Sequence, residues 1–246
     1  MISFQLPTDR VHNLQLAFHK EGAGLVASWR SSHSSCTIVS WDNLEQNPDW
    51  QLSDILLYLS PDGEWVSLFD KEIGEVRITR VGQSEPTAVI ERDKSARNVW
   101  TAVAPDGVAL AWKEEPHTVV RSLPDGEVIA QVRTGFGVDL RFSPGGRWLT
   151  EKGKRVFRVF DRSDDYRVIA RIQTPRFKLA EVSDGLTAVV TTSDSTVSIW
   201  DLSSNTSTTS LQVGSVSTLA ITADGERVLT GSTDALECGR ISDSTA

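Results

Sequence analysis

Six turn tetrapeptides punctuate the chain at nearly equal intervals: His19-Lys20-Glu21-Gly22, Ser60-Pro61-Asp62-Gly63, Ala104-Pro105-Asp106-Gly107, Ser143-Pro144-Gly145-Gly146, Val182-Ser183-Asp184-Gly185 and Thr222-Ala223-Asp224-Gly225. Their closing glycines lie 41, 44, 39, 39 and 40 residues apart, at positions 22, 63, 107, 146, 185 and 225. A period of this length marks a solenoid, propeller or array, in which each unit buries its apolar face against the next. The flanking residues say which unit repeats. Before the turns, apolar side chains alternate with period two at Leu16/Phe18, Leu57/Leu59, Leu140/Phe142 and Leu219/Ile221, and more weakly at Thr101/Val103 and Leu179/Glu181. That is the pattern of a half-buried strand.

A second run follows each turn, at residues 25–29, 65–69, 108–112, 148–150, 187–191 and 228–230. The Asp-Gly or Gly-Gly between the two runs suits a hairpin that needs positive φ, so these strands are expected to pair antiparallel. A third run covers 37–41, 76–79, 118–121, 156–160, 197–200 and 236–241, and several units add a fourth, at 87–90, 128–132 and 168–172. Four strands in about 40 residues is the size of one propeller blade. The sixth unit stops after its third strand, while residues 2–6 read as a strand that no unit claims. The expected fold is therefore all-β: a six-bladed β-propeller of four-stranded antiparallel blades over residues 1–246 as one domain, its ring closed by the N-terminal strand joining the last blade. The alternatives are a β-sandwich with evenly spaced hairpins, or an open stack that closes by dimerisation.

The third strands carry a further pattern. Asp194-Ser195-Thr196-Val197-Ser198-Ile199-Trp200-Asp201 resembles the signature of WD-repeat (WD40) propellers, and Trp41-Asp42 and Phe160-Asp161 recur in phase with the turns. The resemblance covers nearly the whole chain and implies a propeller that serves as an interaction scaffold without catalysis. In WD-repeat proteins the face bearing the connections from strand two to three, and from strand four to the next strand one, is the main partner-binding surface. Mapped onto this chain, those connections place Trp50, Arg97, Trp112, Lys113, Phe136, Lys152, Lys154, Arg155, Arg176 and Phe177 in or beside the loops as candidate partner-binding residues.

The chemistry sought elsewhere is thin. His12, His19, His33 and His117 are too scattered for a zinc pair, and Cys36 and Cys238 lack a second ligand at metal spacing. No nucleophile elbow, phosphate loop or metalloprotease motif occurs, so the expectation is a non-enzymatic protein with no cofactor. The enzyme alternative is a metal held in a central channel by Asn98, Asp139 or Glu181, and a further alternative is a structural subunit or domain of a larger complex. The N-terminus lacks the basic and long apolar regions of a signal peptide, and no apolar run approaches the roughly 20 residues of a membrane span; a cytoplasmic location is expected.

Charge is distributed unevenly. Residues 141–178 carry eleven Lys and Arg against four Asp and Glu, whereas the whole chain has a net charge of −8. The fourth unit is thus a basic sector in an acidic chain, which argues about partners rather than fold. It suits an acidic or phosphorylated protein or peptide. Nucleic acid is disfavoured by the net charge and by the lack of interleaved aromatic residues. A second reading has these charges paired with acids of the neighbouring units, each exposed pair contributing about 0–1 kcal/mol.

Overall fold

The computed structural model describes residues 2–4, 12–18, 25–30, 36–40, 50–52, 55–70, 72–91, 100–114, 116–135, 139–173, 177–192, 196–212, 216–231 and 236–241. Among them every helix or strand is a strand, from β1 (Ile2–Phe4) onward. Sheet I holds β2 (His12–Phe18), β3 (Leu25–Arg30), β4 (Cys36–Ser40) and β5 (Trp50–Leu52). Sheet II holds β6 (Ile55–Leu59), β7 (Trp65–Asp70), β8 (Glu75–Arg80) and β9 (Ala88–Glu91). Sheet III holds β10 (Thr101–Val103), β11 (Ala109–Glu114), β12 (His117–Ser122) and β13 (Val128–Arg133). Sheet IV holds β14 (Asp139–Phe142), β15 (Trp148–Lys152), β16 (Val156–Asp161) and β17 (Arg167–Gln173). Sheet V holds β18 (Phe177–Val182), β19 (Thr187–Thr192), β20 (Thr196–Asp201) and β21 (Thr206–Gln212). Sheet VI holds β22 (Thr218–Ile221), β23 (Arg227–Gly231) and β24 (Leu236–Arg240), and its fourth strand is β1, paired antiparallel through Ile2 with Cys238 and Phe4 with Leu236. The unclaimed N-terminal strand therefore completes the last sheet.

The chain divides into two compact units, Thr8–Phe136 with sheets I to III, and Met1–Pro7 plus Gly137–Ala246 with sheets IV to VI. Within each, a sheet's first strand packs on the sheet before it: β6 on β2, β10 on β6 and β7, β18 on β15 and β16, and β22 on β18. The cores form there. Trp148, Phe157, Val159 and Ile172 of sheet IV pack with Ala180, Val182, Ala188 and Leu202 of sheet V. Val197 and Ile199 meet Leu219 and Ile221, and Ala17 meets Leu56, Leu59, Val66 and Leu68. This is the period-two alternation expressed as burial: β16 reads intermediate, buried, intermediate, buried along Val156, Phe157, Arg158 and Val159.

The turns explain their own sequence. In Ser60-Pro61-Asp62-Gly63 the glycine adopts φ 74° and donates its N–H to Ser60 O at 2.9 Å. The Ser60 hydroxyl accepts from Trp65 N at 2.9 Å and donates to Asp62 Oδ1, which also accepts from Glu64 N at 3.2 Å. Thr222-Ala223-Asp224-Gly225 repeats this network, with Thr222 Oγ1 accepting from Arg227 N at 3.0 Å and Asp224 Oδ1 from Glu226 N at 2.8 Å. Ser or Thr followed two residues later by Asp thus satisfies the hairpin's backbone donors from within.

Sheet IV has Gly145 where the turns of sheets II, III, V and VI carry Asp62, Asp106, Asp184 and Asp224, and the missing carboxylate comes from sheet V. Asp184 Oδ1 accepts from the Ser143 hydroxyl at 2.6 Å and Oδ2 from Gly145 N at 2.7 Å, while Asp184 O accepts from Trp148 Nε1 at 3.0 Å. A Cβ on Gly145 would lie 2.9 Å from Asp184 Cγ, so glycine is what admits the carboxylate. The same tryptophan lock joins sheets II and III: Trp65 Nε1 donates to Pro105 O at 3.2 Å, and its indole lies against Gly107. One turn departs from expectation. In sheet V it runs from Ser183 to Leu186, not 182–185: Leu186 N donates to Ser183 O at 3.2 Å, and Leu186, not Gly185, takes positive φ, 63°. Its side chain packs against the core between sheets IV and V, which offsets the unfavourable backbone. The turn at 19–22 lies outside the described residues.

Candidate functional site

Antiparallel strands reverse at every turn, so the β15–β16 turn, the starts of β14 and β18 and the end of β17 share one end of the sheets, opposite the Ser143 and Asp184 turns. Charge gathers at this end of sheet IV. Asp139 and Arg141 stand two apart on β14 and share a face. Across the ladder Asp139 pairs with Lys152, and Arg141 with Thr150. Arg141 Nη1 lies 2.7 Å from Glu181 Oε1 of β18 and its Nε lies 3.6 Å from Asp139 Oδ2, which is 4.0 Å from Lys152 Nζ. A continuous line of alternating charge therefore runs from buried Glu181 outward to Lys152. Beside it Arg158 Nη1 meets the buried Glu151 Oε2 at 2.7 Å.

Burial pushes the Glu181 carboxyl up to about 7, opposed by Arg141 and reinforced by the neighbouring Asp139 charge. The carboxyls that close the other end behave oppositely. The Ser163 hydroxyl and N–H hold Asp161 below the usual carboxylate range, and those of Ser203 do the same for Asp201. These two aspartates of the aromatic-Asp pairs thus cap the turns that follow their strands.

The local acids are largely spent on local bases: besides Glu151 with Arg158, Asp161 lies 3.9 Å from Arg147 and Asp164 2.8 Å from Arg167. Beyond Lys152 the chain closes a two-residue hairpin, Gly153 N donating to Val156 O at 2.8 Å, with Lys154 and Arg155 exposed at its tip. Lys178, at the same end, is exposed too. Among the described residues none of these three makes an ion pair. Among the described residues, positive charge is thus left unpaired where the sheet meets solvent.

Of the candidate residues, Lys152, Lys154 and Arg155 are brought together here, and Phe177 opens β18 at the same end. Trp112 and Lys113 belong instead to β11 and are buried rather than displayed on a loop. Trp112 pairs across to Thr101 and Val119, and Lys113 Nζ donates to the Thr134 hydroxyl. Trp50 opens β5, opposite Ile38, beside the connection from β4. Arg97, Phe136 and Arg176 lie outside the described residues, as do Asn98 and the Trp41-Asp42 pair. Asp139 and Glu181, the channel candidates, flank Arg141, and among the described residues no three His, Cys, Asp or Glu gather as a metal group. Nor is any helix there long and apolar enough to cross a membrane. Alternation along β14 places Asp139 with Arg141, but only the packing of β18 on sheet IV brings in Glu181. No family model matches the chain, and no curated protein matches it.

Proposed function

We propose that this chain is a non-enzymatic, cytoplasmic interaction module that docks an acidic segment of a protein partner on the end of sheet IV bearing Lys152, Lys154 and Arg155. The observation that carries this reading is the hairpin tip, where Lys154 and Arg155 are exposed and make no ion pair among the described residues, while Glu151, Asp161 and Asp164 pair with Arg158, Arg147 and Arg167. Exposed cations of one sign steer an oppositely charged segment and fix its register. The six sheets are, in this proposal, the blades of a closed propeller of the WD-repeat kind, supported by the recurring four-strand unit and by the pairing of β1 with β24. A closed ring predicts a radius of gyration of about 18 Å in solution scattering, the compact value for this chain length. A clearly larger radius with two separated maxima in the pair-distance distribution would contradict closure.

The docking reading is tested with a fluorescein-labelled, acetylated oligoglutamate peptide, followed by anisotropy at about 50 mM salt. Wild type is expected to bind, and Lys154→Glu/Arg155→Glu to weaken binding by about tenfold or more while keeping the wild-type circular dichroism, because two charges change sign at an exposed tip. Equal affinity of the two proteins would remove the tip from the account.

A further inference from the structure

The end of sheet IV has a feature that simple charge attraction does not require: a carboxylate buried beneath it and connected to it. Glu181 is nearly inaccessible to solvent, yet it meets Arg141 at 2.7 Å, and Arg141 leads through Asp139 to Lys152, two residues from the tip. Resting on the docking reading above, we propose that Glu181 regulates this site as a proton-linked gate: an acidic peptide docks at the Lys152–Arg155 hairpin together with uptake of one proton by Glu181, so docking tightens as the solution becomes more acidic.

The charge count supports this. With Glu181 ionised, Glu181, Arg141, Asp139 and Lys152 sum to zero; with it protonated they sum to +1. Protonation removes the negative charge that lies 2.7 Å from the Arg141 guanidinium and makes the neighbourhood of the tip more positive. A bound carboxylate row acts in return, since added negative charge nearby favours the neutral form of Glu181. Burial already holds this carboxyl at about 7, so the change falls within the neutral range. The charged groups around Glu181 among the described residues come from three strands of sheet IV. β14 contributes Asp139 and Arg141, β15 contributes Lys152 and Glu151, and β16 contributes Arg158, which is committed to Glu151 at 2.7 Å. β19 and β22, which flank β18, carry no ionisable side chain.

The test uses the whole chain and the acetylated oligoglutamate peptide, whose side chains stay ionised over the range examined. Wild-type affinity is expected to rise about fivefold from about pH 8 to about pH 6, the effect of one charge acting at close range near a surface. Calorimetry near pH 7 in two buffers of different ionisation enthalpy should show net proton uptake on binding, a readout that needs no variant. Glu181→Gln, which preserves shape and an acceptor for Arg141, should bind with the tighter affinity at both pH values and take up no proton. A wild-type affinity that is flat with pH, or a pH slope that survives in the Gln variant, overturns the gate while leaving docking at the tip intact. Binding that is absent, or unchanged by Lys154→Glu/Arg155→Glu, overturns the docking reading itself and the gate with it.

Discussion

Replacing Gly107 by alanine should lower the melting temperature by about 6–12 °C, corresponding to about 3 kcal/mol in a chain of this length. Two effects combine. Gly107 has φ 71°, where a β-carbon costs about 1 kcal/mol, and the new Cβ would lie within 2.6 Å of Trp65 Cε2, in the ring that fixes sheet II to sheet III. Trp65 is buried and its Nε1 is held by Pro105 O, so it cannot swing away without giving up that hydrogen bond. Gly82→Ala is the control: φ there is 83° with nothing within 4 Å of a built Cβ, so only the backbone cost applies and the shift should be about 2–4 °C. Thermal denaturation of both variants separates the two contributions. Equal small shifts would show that the indole does not depend on a bare backbone at position 107.

The second large effect concerns the carboxylate that sheet V lends to sheet IV. Asp184→Ala should cost about 2–3 kcal/mol, because it removes the acceptor from the buried Ser143 hydroxyl and from Gly145 N at once. Gly145→Asp places a carboxylate where Asp62 and Asp224 stand in their own turns. In the wild-type background it collides with Asp184 and opposes its charge, so it destabilises; in the Asp184→Ala background it restores a partner for Ser143 and stabilises. A double-mutant cycle by denaturant unfolding should return a favourable coupling of about 1–3 kcal/mol. Additive effects would mean that Asp184 does not replace the turn carboxylate.

These locks also show how far the residues themselves disclose the structure. The Ser-Pro-Asp-Gly turns announce the hairpins because hydroxyl, carboxylate and glycine each answer a local backbone requirement, and the strands beside them alternate because one face is buried. β21 gives no such signal: Thr-Ser-Thr-Thr-Ser-Leu-Gln has β-branched residues but no apolar alternation, and it is a strand because it lies along β20 from Asp201 to Thr196. The sheet V turn reads one residue early because Gly185 attracts the positive-φ assignment that packing gives to Leu186. At the site, Lys152, Lys154 and Arg155 stand out as a local run of charge. Their paired neighbours do not, since Arg141 and Glu181 are 40 positions apart and meet only through the stacking of successive sheets. Trp112 and Lys113 illustrate the converse: a large aromatic and a cation near a strand end resemble interface residues, yet β11 continues to Glu114 and takes both inside.

An acidic segment is expected to land on the hairpin tip of sheet IV. Hydrogen exchange read by mass spectrometry, with and without saturating oligoglutamate peptide, locates it without any substitution. The predicted result is slowed exchange confined to residues 152–156 and 178–182, the hairpin tip and the first strand that carries Glu181. Slowed exchange centred instead on the opposite end, at residues 143–146 and 183–186, or spread evenly over all six sheets, would contradict the assignment.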